Sequence, residues 1–178
     1  MLLAIIDGLD STIQGWFTHF RWPAEYAARL ALAMIAGGLV GIERELRGRQ
    51  AGFRTNILVC VGSCLTMIVS INFASRPWPH EPNVNMNIDP ARIAYGVMTG
   101  IGFLGAGAII KLNEKEQIKG LTTAATIWST AAIGVAAGLG LAITATLATL
   151  LALVILALLP RVERHIARKN DGENPRPG

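Results

Sequence analysis

Residues 121–159 read LTTAATIWSTAAIGVAAGLGLAITATLATLLALVILALL, an uncharged run of 39 residues. As a single helix it would extend about 58 Å, twice the roughly 30 Å hydrocarbon core of a bilayer. It must fold back, and Gly138-Leu139-Gly140 is the natural break. That gives one span at about Leu121–Gly138 and another at about Leu141–Leu159, closed by Pro160.

Upstream, the same reading finds three more spans. Ala24–Ile42 is 19 residues long, enough for about 28 Å of helix, and Pro23 stands where a helix can start. Trp16, Phe17, Phe20 and Trp22 precede it, an aromatic group of the kind that settles at headgroup level. Ile57–Phe73 contains no charged residue. Ser75–Pro90 then carries Pro77, Pro79, Pro82 and Pro90 among polar side chains that lipid does not accommodate, so it is the longest loop. Ile93–Ile110 follows, rich in glycine at Gly96, Gly100, Gly102, Gly105 and Gly107. The expected fold is an all-α membrane protein, a bundle of five transmembrane helices in residues 24–160. An interfacial segment, 1–23, precedes it, and a basic tail, 161–178, follows, disordered beyond Lys169.

Composition agrees with a membrane chain. Counted with glycine, apolar residues reach roughly 63%, above the ~45–50% of soluble domains, and charged residues fall to 16% against an expected ~25%. With mean hydropathy at +0.44, a soluble fold of this size would need a core larger than it can enclose. Cys60 and Cys64 lie one helical turn apart inside an apolar run and read as packing residues, not as a disulfide scaffold or a zinc site. Met1–Ile6 lacks a basic leader and is soon followed by Asp7 and Asp10, so a cleaved signal peptide is not expected.

A net charge of +4 and a pI of 9.5 would suit nucleic acid only if the basic residues formed one continuous patch. Here they form clusters between apolar runs, so no nucleic-acid partner is expected. Of the 16 basic residues, twelve fall in the segments 43–56 and 111–120 and in the tail. Arg21, Arg29, Arg76 and Arg92 lie toward the opposite side. The three rich segments share one face only if there are five spans, so the positive-inside rule supports the count. It puts the N-terminus outside and the C-terminus in the cytoplasm.

Gly100-Ile-Gly-Phe-Leu-Gly105 matches GxGxxG, but it lies inside a hydrophobic span with no strand before it and no acidic residue about 20 positions on. A dinucleotide site is therefore not expected. Gly37 with Gly41, Gly96 with Gly100, and Gly134 with Gly138 are small-xxx-small pairs that let helix backbones approach closely. Gly102 and Gly105 also leave the third span free to bend or break, as at transporter sites.

Ionisable groups at the bilayer edge are candidates for function. Glu25 and Arg29, and Glu43 and Arg47, are four apart and positioned to pair. Arg44 and Glu45 continue the first span into the cytoplasm, while Arg54 and Asn56 stand at the entrance to the second. Asp89 and Arg92 flank Pro90, with Asp89 placed to cap the third span. The expected topology separates Glu43 and Glu45 from Asp89 by a core roughly 30 Å thick, far beyond the ~2.0–2.1 Å contacts of magnesium. No single cage can use both, and no cofactor is expected. Thr122, Thr126 and Ser129, with Thr123 and Thr130 on an adjoining face, can bond across helices, return to their own turn, or line a ligand groove. His19, His80 and His165 lie outside the spans without an HExxH or Cys-His pattern, so an enzyme is not expected.

Five stretches together resemble the MgtC/SapB family of bacterial inner-membrane proteins: Gly41-Ile-Glu-Arg-Glu45, Ala51-Gly-Phe-Arg-Thr-Asn56, Asp89-Pro-Ala-Arg-Ile93, Gly100-Ile-Gly-Phe-Leu-Gly-Ala-Gly107 and Gly120-Leu-Thr-Thr-Ala-Ala-Thr-Ile-Trp128. Their order and approximate spacing match from about Tyr26 to Leu159. The resemblance implies a five-span bundle and a link to growth under magnesium limitation, including survival of some pathogens inside macrophages. It also implies action through other membrane proteins, among them the F-type ATP synthase, instead of magnesium movement by the protein itself. Two positions depart from the virulence-associated members, which have Asn in place of Thr122 and Gln in place of Gly96. These departures bear on the virulence role and leave the fold expectation intact. Many members add a soluble C-terminal domain, which the residues after Pro160 are too few to form.

Two functions follow as expectations. The first is a non-enzymatic inner-membrane protein whose polar rim, Glu43, Arg44, Arg54 and Asn56, holds the bundle or a partner, with small-residue faces left for a homo-oligomer or hetero-complex. The second is a transporter or channel subunit for magnesium or another ion, with the glycines of the third span and the threonines of the fourth as its path.

Overall fold

The computed structural model describes residues 23–74, 89, 91–112 and 117–173. It contains α1 (Pro23–Leu46), α2 (Phe53–Ala74), α3 (Ala91–Gly107), β1 (Ile110–Leu112), β2 (Gln117–Lys119), α4 (Leu121–Gly138) and α5 (Ala142–Glu173). Four of the five helices are long and apolar enough to cross a membrane: α1, α2, α4 and the Ala142–Leu159 part of α5. α3, with 17 residues, reaches about 25 Å and sits at the lower limit for a span. The expected aromatic group before α1 and most of the proline-rich loop lie outside the described residues.

The break in the uncharged run falls at Gly138-Leu139-Gly140, and its geometry explains why. Gly140 has φ 81°, its N–H bonds the Ala137 carbonyl at 3.0 Å, and the Leu141 N–H bonds the Ala136 carbonyl at 3.0 Å. This paired closure around a left-handed residue satisfies the last carbonyls of α4, and glycine adopts it without a Cβ penalty. α1 ends the same way at Gly48, φ 61°, with Gly48 N–H on Glu45 and Arg49 N–H on Arg44.

Two expectations about the chain's second half need correction. Pro160 does not close α5, which continues to Glu173 and so includes most of the basic tail and the first four of the residues expected to be disordered. A proline removes one ladder hydrogen bond, but alanine, leucine, arginine and glutamate on either side favour helix, and no glycine follows until Gly172. The basic loop 111–120 is also more ordered than expected. It holds a small antiparallel hairpin, with Ile110 opposite Lys119 and Leu112 opposite Gln117.

α4 packs against all four other helices and forms the centre of the bundle. Asn56, Cys60 and Cys64 of α2 meet Thr130, Gly134 and Gly138 of α4 in step, so these helices run parallel. α1 runs antiparallel to α2, since Gly41 meets Phe53 and Tyr26 meets Asn72. Ala33, Ala36, Cys60, Cys64, Ile133, Ala137 and Ala145 form much of the core, and the small side chains of the alanines and cysteines allow the close approach.

The small-xxx-small expectation divides along the same line. A Cβ at Gly37 would lie 2.6 Å from the Asn56 carbonyl oxygen, at Gly41 2.7 Å from the Phe53 Cα, and at Gly138 2.6 Å from the Cys64 carbonyl oxygen. Gly134 likewise faces the Cys60 carbonyl directly. Among the described residues, Gly96, Gly100 and Gly102 have nothing within 4 Å, so their expected role in helix packing finds no partner there. The reason is position: α3 lies at the edge of the bundle and meets α4 near Gly105, whose Cβ would be 3.6 Å from Ala124.

Candidate functional site

The last turn of α1 carries a charged rim. The side chains of Glu43 and Arg44 are only 14% and 2% exposed. Glu43 Oε2 accepts a hydrogen bond from Arg44 Nε at 2.5 Å and also pairs with Arg44 Nη2, while Oε1 pairs with Arg47 Nε. One carboxylate thus pairs with two guanidinium groups, and its contact with Arg44 offsets the cost of burying that charge. Arg47 in turn donates from Nη2 to the Ala157 carbonyl at 3.3 Å, three residues before Pro160. Glu43 therefore positions the arginine that ties the end of α1 to α5.

Glu45 serves the next element. Its Oε2 accepts the Phe53 N–H at 3.0 Å, capping α2 and placing a negative charge at the positive end of that helix. A Cβ at Gly52 would meet the Glu45 carboxylate, so a larger residue there would displace this cap.

Asn56 is fully buried and its amide is engaged on both sides. Nδ2 donates to the carbonyls of Ala51 and Gly52, each at 2.9 Å, and Oδ1 accepts the Thr130 hydroxyl at 3.0 Å. This side chain fastens the turn before α2 to the middle of α4. The threonine face that meets the core is Thr123, Thr126 and Thr130, whereas Thr122 is exposed. Thr126 returns its hydroxyl to the Thr122 carbonyl at 2.7 Å. Thr130 is the residue that sequence reasoning did not single out for Asn56. Its signal is that it stands four before Gly134, on the stripe that approaches α2.

Arg54 is exposed and does not reach Glu43; among the described residues it forms no ion pair. It lines an open groove with Ile42, Glu45, Leu46, Gln50 and Phe53. At the far end of the bundle Arg29 pairs with Glu25, donates to the Gly138 carbonyl at 2.7 Å, and lies 5.9 Å from the centre of the Tyr26 ring. Tyr26 donates to Asn72 Oδ1 at 2.7 Å. Asp89 Oδ1 accepts the Ala91 N–H at 2.9 Å and so caps α3, while Arg92 is exposed. Because α3 meets the start of α4 through its own C-terminal end, Asp89 belongs to the end of the bundle away from Glu43.

A profile of the MgtC family matches residues 30–165, which takes in the rim, the Asn56 site, the three middle helices and most of α1 and α5. The chain belongs to the MgtC family. Relatives include a YhiD protein of Escherichia coli K12 whose name proposes magnesium transport, 43% identical over 83% of this chain and 66% of that protein. The MgtC protein of Brucella abortus is 46% identical over 76% of the chain and 52% of its own length. SapB of Bacillus subtilis is 38% identical over 78% and 58%. The chain thus spans between about half and two thirds of the length of these relatives. No solved structure matches it.

Within this MgtC family chain the rim does structural chemistry first. Glu43, Glu45 and Asp89 each face a cation or a helix N-terminus, and Asn56 faces two carbonyls and a hydroxyl. Among the described residues, no three His, Cys, Asp or Glu side chains gather where one metal ion could be held.

Proposed function

We propose that this chain is a non-enzymatic, multi-pass protein of the bacterial inner membrane, linked to magnesium homeostasis and to adaptation to magnesium limitation, that acts by binding membrane partners. The magnesium link comes from the family and from the name of the Escherichia coli relative. The observation that carries the partner reading is the engagement of the rim carboxylates and Asn56 with the bundle's own groups, which leaves them tied to holding helices. What the bundle offers outward is apolar, with Phe103 86%, Ile143 78% and Leu58 70% exposed. Those faces suit the bilayer, a second copy, or another membrane protein, and the F-type ATP synthase is the partner that the family resemblance brings forward.

Photo-crosslinking amino acids at Leu58, Phe103 and Ile143, in membranes of cells grown at limiting magnesium, test this reading. A crosslink to a second copy or to a distinct membrane protein is expected from at least one position. Lipid adducts alone at all three would contradict it. The second reading, an ion transporter or channel subunit, is favoured by the name of the Escherichia coli relative and by the open faces of Gly96, Gly100 and Gly102.

A further inference from the structure

The groove between the end of α1 and the start of α2 encloses about 830 Å³ and is widely open. Its walls differ in chemistry. Ile42, Leu46 and Phe53 are apolar, while Gln50, Arg54 and Thr55 offer donors. Leu46 is 83% exposed, and it is the last member of a stripe on α1 formed by Ile35, Leu39 and Ile42 at 57%, 45% and 46%. These residues fall at i, i+4, i+7 and i+11, on one helix face. The stripe is about 16 Å long, close to the depth of one leaflet of a roughly 30 Å core.

Charge distinguishes the end of this stripe from its length. Arg44 and Arg47 are both engaged by Glu43, whereas Arg54 has neither an ion pair nor a side-chain hydrogen bond among the described residues. Glu45, which also lines the groove, is held by the Phe53 N–H, where the positive end of α2 offsets its charge. From Glu43 to Arg54 the chain has four arginines and two glutamates. A forked guanidinium matches a phosphate through two parallel hydrogen bonds, and its position beside an apolar stripe asks for a ligand that carries both a phosphate and a hydrocarbon tail.

We infer that this groove seats an anionic phospholipid, with its phosphate on Arg54 and one acyl chain along Ile35, Leu39, Ile42 and Leu46. The inference rests on the bundle and its membrane setting and does not depend on a protein partner. A zwitterionic lipid offers the same chain but places a cation near Arg54, so the site discriminates by headgroup charge.

The test uses the full chain in detergent, offered phosphatidylglycerol and phosphatidylcholine in equal amounts, with retained lipid counted by native mass spectrometry. The wild type should retain phosphatidylglycerol in preference. Arg54→Ala should lower that retention about fivefold, the factor that one basic residue is worth near an anionic surface, and Arg54→Lys should keep part of it. Gln50→Glu, which sets a carboxylate in the same groove, should lower the preference without touching Arg54. An unchanged thermal midpoint shows that each variant is folded. Equal retention of the two lipids by the wild type, or undiminished preference in both Arg54→Ala and Gln50→Glu, as expected if the groove seats protein, would overturn the inference.

Discussion

Asn56 concentrates the logic of the rim in a single side chain. Its two donated bonds and one accepted bond lie in a fully buried site, so truncation removes all three at once, although the Gly52 carbonyl keeps the Asn56 backbone N–H at 3.2 Å. Asn56→Ala should cost about 1–3 kcal/mol, read as a lower unfolding midpoint in detergent. Asn56→Asp should cost more, because a carboxylate cannot donate to the carbonyls of Ala51 and Gly52 and carries its charge into the core. Equal midpoints for Asn56→Asp and wild type would refute this account of the site. Glu43→Gln removes the charge that compensates buried Arg44 and should destabilise by about 3–5 kcal/mol in the same assay. Asn56 and Glu43 were legible in the sequence because polar groups at the ends of apolar runs are conspicuous. Thr130 was not, because a helical threonine can satisfy itself on its own preceding turn, and only the packing of α4 on α2 decides otherwise.

At the scale of helices, glycine spacing identified surfaces capable of close contact without telling which surfaces meet. Gly37, Gly41, Gly134 and Gly138 abut backbone of α2 and its preceding turn, whereas Gly96, Gly100 and Gly102 on α3 face open space. Gly37→Ala and Gly134→Ala should lower the unfolding midpoint, since backbone would have to shift to admit the methyl group. Gly100→Ala should be neutral, or stabilising by up to ~1 kcal/mol through helix propensity alone. A loss of stability for Gly100→Ala as large as that for Gly134→Ala would mean that α3 packs through this face in the membrane. The continuation of α5 through Pro160 shows a related limit of sequence reading. Proline weakens a helix at one point, but whether the chain ends there depends on its neighbours, and those after Pro160 favour helix.

The whole bundle was legible because lipid leaves so few options: long uncharged runs must be helices, and a run twice the bilayer depth must turn. Its internal arrangement, with α4 at the centre and α3 at the edge, was not, because hydropathy does not distinguish a helix face that meets lipid from one that meets another helix. If α3 also crosses, twelve basic residues share one side, and on that ground we propose a cytoplasmic C-terminus. A reporter fused after Gly178 should accordingly be active in its cytoplasmic form, and activity restricted to the outside would reverse the orientation. We propose that the rim's polar groups hold helices together and that the bundle serves partners without carrying magnesium itself. Magnesium flux into liposomes containing only the purified, folded protein tests it most directly, with Glu43→Gln and Asp89→Asn measured alongside. The account predicts no flux above empty liposomes; flux that falls when either carboxylate is neutralised in a folded variant would contradict it.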